Sequence, residues 1–160
     1  MQSFRFTRRS AVAWLMTTTA AAAAGSLLSP AWAQADAAVQ TAAQTAAQTA
    51  AQTAATQWLA ETDAGSHGAA WALAGAKFRN AVSLEQWQGA ARQVLGPLGA
   101  VRAREANGSK PTRSLPGAPD GDYLIFSYLT DFANKAGAIE TLTLAREADG
   151  QWRVVGYFVR

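Results

Sequence analysis

The chain has 160 residues, with 14 Lys and Arg against 11 Asp and Glu for a formal net charge of +3, and is 49% hydrophobic and 16% charged. That length holds one domain, and that composition excludes a fully disordered chain. With no Cys and a single His, disulfides, thiolate metal sites, thiol catalysis and His-rich metal sites are excluded, and a Ser-His-Asp arrangement would have to run through His67.

Residues 1–33 read as a secretory signal. Arg5, Arg8 and Arg9 form a basic start, an uncharged stretch runs from Ser10 to Ala33, and Ala31-Trp32-Ala33 fits the small-x-small rule for cleavage after Ala33. Arg8-Arg9 after Thr7 resembles a twin-arginine signal, yet Ser10-Ala11-Val12-Ala13 lacks the bulky apolar residues usual after the pair, so general secretion stays an equal alternative. The expected location is periplasmic or secreted, and membrane contact is expected only if this segment stays uncleaved. Three of the 14 basic side chains leave with it and no acidic ones do, so the mature chain is formally neutral. Its charge is no argument for a nucleic-acid partner. Arg102, Arg104, Lys110 and Arg113 precede a stretch with Asp120, Asp122 and Asp131; two solvated patches facing each other, or an anion-binding patch, account for this polarity.

From Thr41 the chain reads Thr-Ala-Ala-Gln three times through Gln52. Ala and Gln favour helix, and a period of four on a 3.6-residue helix turns about 40° per repeat, so no fixed apolar stripe is expected. Residues 34–56 are therefore expected to be a helical low-complexity linker, dispensable to the stability of the domain after it. The folded domain is placed at residues 57–160, where the large apolar side chains lie.

Asp63-Ala64-Gly65 ends the first helix, and Trp71, Leu73 and Phe78 belong to a second, Ala-rich one. Ser83 with Gln86 is the N-cap signature of a third, carrying Leu84, Trp87, Ala91, Val94 and Leu95 at helical spacing and stopped by Gly96-Pro97. Trp58, Trp71 and Trp87 are the expected core anchors. The period then changes: 100–105, 123–132, 139–146 and 152–159 read as strands, with Asp149-Gly150 marking a hairpin and Asn107–Gly121 a long Pro-containing loop. Gly156 inside the last strand predicts a bulge or bend, and Trp152 is expected to be buried against the helices. The fold class is α+β, with N-terminal helices packed on a four-stranded antiparallel meander sheet. Strand two has no polar face: Leu124, Phe126, Tyr128, Thr130 and Phe132 alternate with Tyr123, Ile125, Ser127, Leu129 and Asp131. The face carrying Tyr123, Ile125, Ser127 and Leu129, with Ile139 beside it, is thus expected to meet a loop, a ligand or a second subunit.

The chemistry is sparse. Glu140, sharing a strand face with Leu142 and Leu144, is the best catalytic candidate, with Tyr128 its partner in a cone-shaped pocket; burial would raise its pKa and suit it to acid–base work. The competing reading pairs Glu140 with an Arg such as Arg104 or Arg153, or leaves it exposed beside the Ala136-Gly137 turn. His67, between Gly65 and Gly68, reads as a mobile or capping residue, and Asp120-Gly121-Asp122 as a turn, since the spaced ligands and closing Glu of a calcium loop are missing. No metal or cofactor is expected.

Asp63-x-Gly65 with Trp71, Val82-Ser83 with Trp87, Pro97-Leu98-Gly99 with Arg104, Leu115-Pro116-Gly117-x-Pro119-Asp120-Gly121-x-Tyr123, Thr130-x-Phe132, Glu140-Thr141, and Asp149-Gly150-x-Trp152 through Gly156-Tyr157 together resemble the bacterial family known as domain of unknown function 4019. The chain departs from that pattern at His67, where the family usually has Tyr, and at Ala70, where it often has Ser. The resemblance implies no known activity. It implies a small α+β unit, similar by analogy to cystatin-like or nuclear-transport-factor-2-like architecture. The expected function is that of an exported, non-catalytic binding domain for a protein partner, a second copy of itself or a small apolar ligand; the alternative is a small isomerase- or dehydratase-type enzyme using Glu140 and Tyr128.

Overall fold

Ala- and Gln-rich sequence with no internal Gly or Pro carries the first helix, α1, unbroken from Ala31 to Asp63. The computed structural model describes residues 31–160. The segment read as a secretory signal, residues 1–33, therefore lies outside the described residues except for Ala31, Trp32 and Ala33, which open α1. Three shorter helices come next, α2 (His67–Leu73), α3 (Ala76–Ala81) and α4 (Leu84–Leu98), then strands β1 (Val101–Thr112), β2 (Tyr123–Phe132), β3 (Ala138–Arg146) and β4 (Trp152–Val159). The strands form an antiparallel meander in the order β1-β2-β3-β4, so the fold is α+β, with the helices packed on one face of the sheet.

The core lies between the helices and that face. Trp58, Phe78 and Trp87 are buried against Leu124, Phe126, Tyr128, Leu142, Leu144, Trp152 and Val154. Trp58 and Trp87 pack with ring centroids 5.4 Å apart, and Tyr157 lies 5.1 Å from Trp58. Trp71, the third expected anchor, is only half-buried and donates its Nε1–H to the Val82 carbonyl at 2.8 Å.

The repeat has more to bury than its period suggests. Ala51 and Ala55 are fully buried, and Ala47 and Ala54 pack partly against the core. Gln48 donates to Ser109 Oγ at 3.1 Å and Gln52 to Tyr128 Oη at 3.0 Å. A row spaced by four drifts only about 80° over two repeats, which stays within one helix face. Small Ala side chains then let α1 lie close to the sheet. The repeat should accordingly be dispensable in its first unit and not in its last. Deleting Thr41–Gln44 leaves every docked position with its own residue, and the melting temperature should not move. Deleting Thr41–Gln52 brings Val39 into the site of fully buried Ala51, which should cost about 1–3 kcal/mol by overpacking. Thermal unfolding of both deletions checks this.

The expected second helix is two. Gly75 separates α2 from α3, donating its N–H to the Val154 carbonyl at 2.7 Å, and a Cβ there would lie 2.9 Å from Glu147 Oε1 and 3.1 Å from Val155 Cγ1. The glycine lets the backbone touch β4, and Glu147 accepts the Ala76 N–H at 2.6 Å to cap α3. Helix α4 starts on the expected capping box, Ser83 with Gln86. It does not stop at Gly96-Pro97 but runs to Leu98, ending on Gly99 at φ 75°. Contacts from the β2–β3 turn hold this last turn: Asn134 N–H bonds the Leu98 carbonyl at 2.9 Å and its Nδ2 the Pro97 carbonyl at 3.0 Å.

Strand β1 is twice its expected length. Positions 107–112, read as loop, pair with β2 through Pro111 opposite Leu124 and Thr112 opposite Tyr123, past a register shift between Ala106 and Gly108. An edge strand tolerates both a proline and a bulge. The connecting loop is thus 113–122. It folds over one end of the outer face, where Tyr123 is buried and its hydroxyl donates to the Pro119 carbonyl at 2.6 Å. Tyr123 is therefore not part of an open face. Strand β4 carries the bulge expected at Gly156: Thr143 faces Gly156 while Leu144 faces Val154, leaving Val155 without a partner of its own.

Candidate functional site

That bulge decides the site. Counting by twos from Trp152 and Val154 puts Tyr157 on the outer face; the extra residue inverts the alternation and turns Tyr157 inward, opposite Leu142. On the neighbouring strand Glu140 sits on the core face between Ala138 and Leu142 and is completely buried. The Tyr157 hydroxyl donates to Glu140 Oε1 at 2.5 Å. Thr130, on the core face of β2, donates a hydroxyl hydrogen bond to Oε2.

Arg104 completes the cluster from β1. Its Nε bonds Glu140 Oε2 at 2.6 Å and Nη2 bonds Oε1 at 3.1 Å, while Nη1 and Nη2 hold Asp63 Oδ2 and Oδ1 at 2.6 and 2.9 Å. The planar guanidinium thus ties the last residue of α1 to β3 in two forked pairs. Burial pushes the Glu140 carboxyl upward, but hydrogen bonds from Arg104, Thr130 and Tyr157 outweigh it, and the net shift is below the ordinary carboxylate value. Burial together with the Glu140 charge drives the Tyr157 hydroxyl well above the usual phenol range. For Arg104 burial acts downward, the two carboxylates prevail, and its pKa rises. Glu140 is an ionised carboxylate accepting four hydrogen bonds, a structural anchor in form.

Tyr128 stands opposite Glu140 in the strand register, yet the structure does not join them as an acid–base pair. Its hydroxyl takes the Gln52 amide instead, and burial raises its pKa, offset in part by that hydrogen bond. Of the two Arg partners open to Glu140, Arg104 is the one used; Arg153 pairs with Glu147 at 2.9 Å and Asp149 at 2.7 Å. Asp63, Thr130 and Tyr157 join the cluster with no local chemical pattern that marks them as site residues; all three stand among the residues that carry the family resemblance, and Gly156 points to Tyr157 by announcing the bulge. The two charged patches meet only at Arg113 and Asp122, 3.8 Å apart and exposed.

Beside the cluster lies a cleft of about 330 Å³, lined by Asp63, His67, Phe132 and Tyr157 and by the backbone around Gly65, Gly96 and Gly99. His67 is the first residue of α2, half-buried, with its ring edge-on to Trp87 at 6.2 Å. Its carbonyl accepts the Trp87 Nε1–H at 3.0 Å. Glu140 does not line this cleft. A smaller apolar slot of about 180 Å³ runs between α4 and the end of β4, past Trp87, Val94 and Phe158.

No helix among the described residues is long and apolar enough to cross a membrane. No curated protein and no solved structure matches the chain. Residues 54–157 match the family described as Protein of unknown function (DUF4019), a span that opens with the last turns of α1 and reaches Tyr157, and the chain belongs to that family.

Proposed function

We propose that the chain is an exported, non-catalytic interaction domain. The observation that carries this reading is the state of Glu140: sealed from the cleft, ionised, and with its oxygens taken up by four donors. Such a carboxylate has no proton to give near neutral pH and no open position from which to take one, which argues against an isomerase or dehydratase built on it. Interaction is supported by the outer face of the sheet. The 113–122 loop covers the Tyr123 end, while Leu129 is 42% exposed with Ile125, Ser127 and Ile139 half-buried around it. Such a surface suits a second copy of the chain in an isologous contact. The slot between α4 and β4 is where a small apolar ligand would fit.

Sedimentation of the mature chain at tens of micromolar tests the contact. A dimer that Leu129→Glu splits without lowering the melting temperature is the expected result; a wild-type chain that stays monomeric removes the self-association. Export is checked on periplasmic extract, where the mature protein should begin at Gln34.

A further inference from the structure

The cleft beside Asp63 combines features that the interaction reading does not use. Helices α1 and α4 both end on it: Asp63 is the last residue of α1, and Leu95, Gly96 and Gly99 come from the end of α4. A helix C-terminus carries a partial negative charge of roughly half an elementary unit. Neither helix has a basic residue in its last turn, and the groups that bond the final carbonyls, such as Asn134 on Pro97 and Leu98, are neutral amides that reduce this charge without cancelling it. The adjoining cluster adds to the same sign, since Asp63 and Glu140 share the single guanidinium of Arg104 and leave one negative charge in excess. Of the two carboxylates, Asp63 is the one that reaches the cleft, with its side chain 31% exposed.

The walls suit an organic cation better than a metal ion. Among the described residues no group of three or more His, Cys, Asp or Glu comes together to hold a metal, and the cleft offers only Asp63 and His67 of those types. Two aromatic rings, Phe132 and Tyr157, line it instead, with the His67 imidazole beside them. Aromatic faces attract a weakly hydrated ammonium through their quadrupole, and they do so most strongly where water is partly excluded. We propose that this cleft binds a small organic ammonium compound, its charge set between the two helix ends and Asp63 and its alkyl groups against the rings.

Choline is the probe, titrated into the mature protein and followed by two-dimensional NMR. The backbone signals of Gly96, Gly99 and Tyr157 should shift with a dissociation constant in the millimolar range. The uncharged isostere, with a tert-butyl group in place of trimethylammonium, should bind about tenfold more weakly or worse, the factor expected for a partly desolvated cation–π and ion pair worth ~1.4 kcal/mol. Gly96 has room for a side chain, with nothing within 4 Å of an added Cβ. Gly96→Lys supplies the missing cation at the end of α4, and it should keep or raise the melting temperature while weakening choline binding about tenfold. The ammonium group also occurs on phospholipid headgroups. Co-sedimentation with phosphatidylcholine vesicles, competed by choline, would identify that source, and choline binding without co-sedimentation a free compound. Equal binding of the isostere, unchanged binding by a folded Gly96→Lys variant, or no shift with choline would overturn the proposal.

Discussion

Arg104→Met should lower the stability of the domain by about 3–5 kcal/mol near neutral pH, the range for removing one partner of a buried ion pair. The cost arises from Glu140, which has no access to solvent and would lose two of its four donors. Asp63 would lose its forked partner as well, but it is partly exposed and water can replace the guanidinium. The pH dependence has a definite sign. Glu140 in the folded chain titrates below its ordinary value, so the wild-type cluster contributes fully above the unfolded carboxylate pKa of about 4.3. That contribution is lost as pH falls further, through the folded value. In the variant, burial without the guanidinium raises the same carboxyl, and protonation relieves the buried charge. The gap between wild type and variant should therefore narrow as pH is lowered from ~7 to ~4. Urea unfolding at several pH values measures it, and a gap constant with pH would mean that the cost is lost packing instead. The double variant Arg104→Met with Glu140→Leu should recover most of the loss, because an apolar replacement of both partners leaves no buried charge.

Trp152→Ala should cost about 3–5 kcal/mol, as truncation of a buried Trp does. Trp152 opens β4, is 9% exposed and belongs to the core cluster. It belongs to the same buried cluster as Ala51 and Ala55 of α1, so the indole is part of what holds the docked half of the repeat to the sheet. Two readouts should move together. Chemical unfolding reports the loss of stability, and limited proteolysis should cut α1 around residues 47–55 sooner in the variant than in the wild type. A stability loss with unchanged cleavage would mean that the helix docks through Trp58 and Leu59 alone. Trp152→Phe, which keeps most of the ring area, should lie between the two.

Much of the architecture is local in origin and therefore readable along the chain. Ser83 and Gln86 cap α4 because their side chains and backbone amides are three residues apart in any such helix. Asp149-Gly150 closes its hairpin through a glycine at φ 79°. The bounds of β2 and β4, and the existence of the meander, came from period and turn residues in the same way. An Arg partner for Glu140 could be expected because a buried carboxylate on an apolar strand face needs a cation, but the choice of Arg104 over Arg153 was made by the strand register.

Other features depend on contacts between distant segments. Whether Pro97 ends α4 was settled by Asn134, and whether Pro111 lies in a loop or a strand by the tolerance of an edge for a missing donor. The docking of Ala51 and Ala55 required a sheet close enough to reward the approach of small side chains; a helix considered alone shows only a drifting row. Tyr157 entered the Glu140 site because one unpaired residue at Val155 reverses which side of β4 faces inward. A bulge can be suspected from a glycine, but its position in the register is set by the partner strand. Chain-local propensities thus determined the elements and their order, while edge position, bulge register and helix docking, each a matter of which distant surface comes within a few ångströms, decided the site.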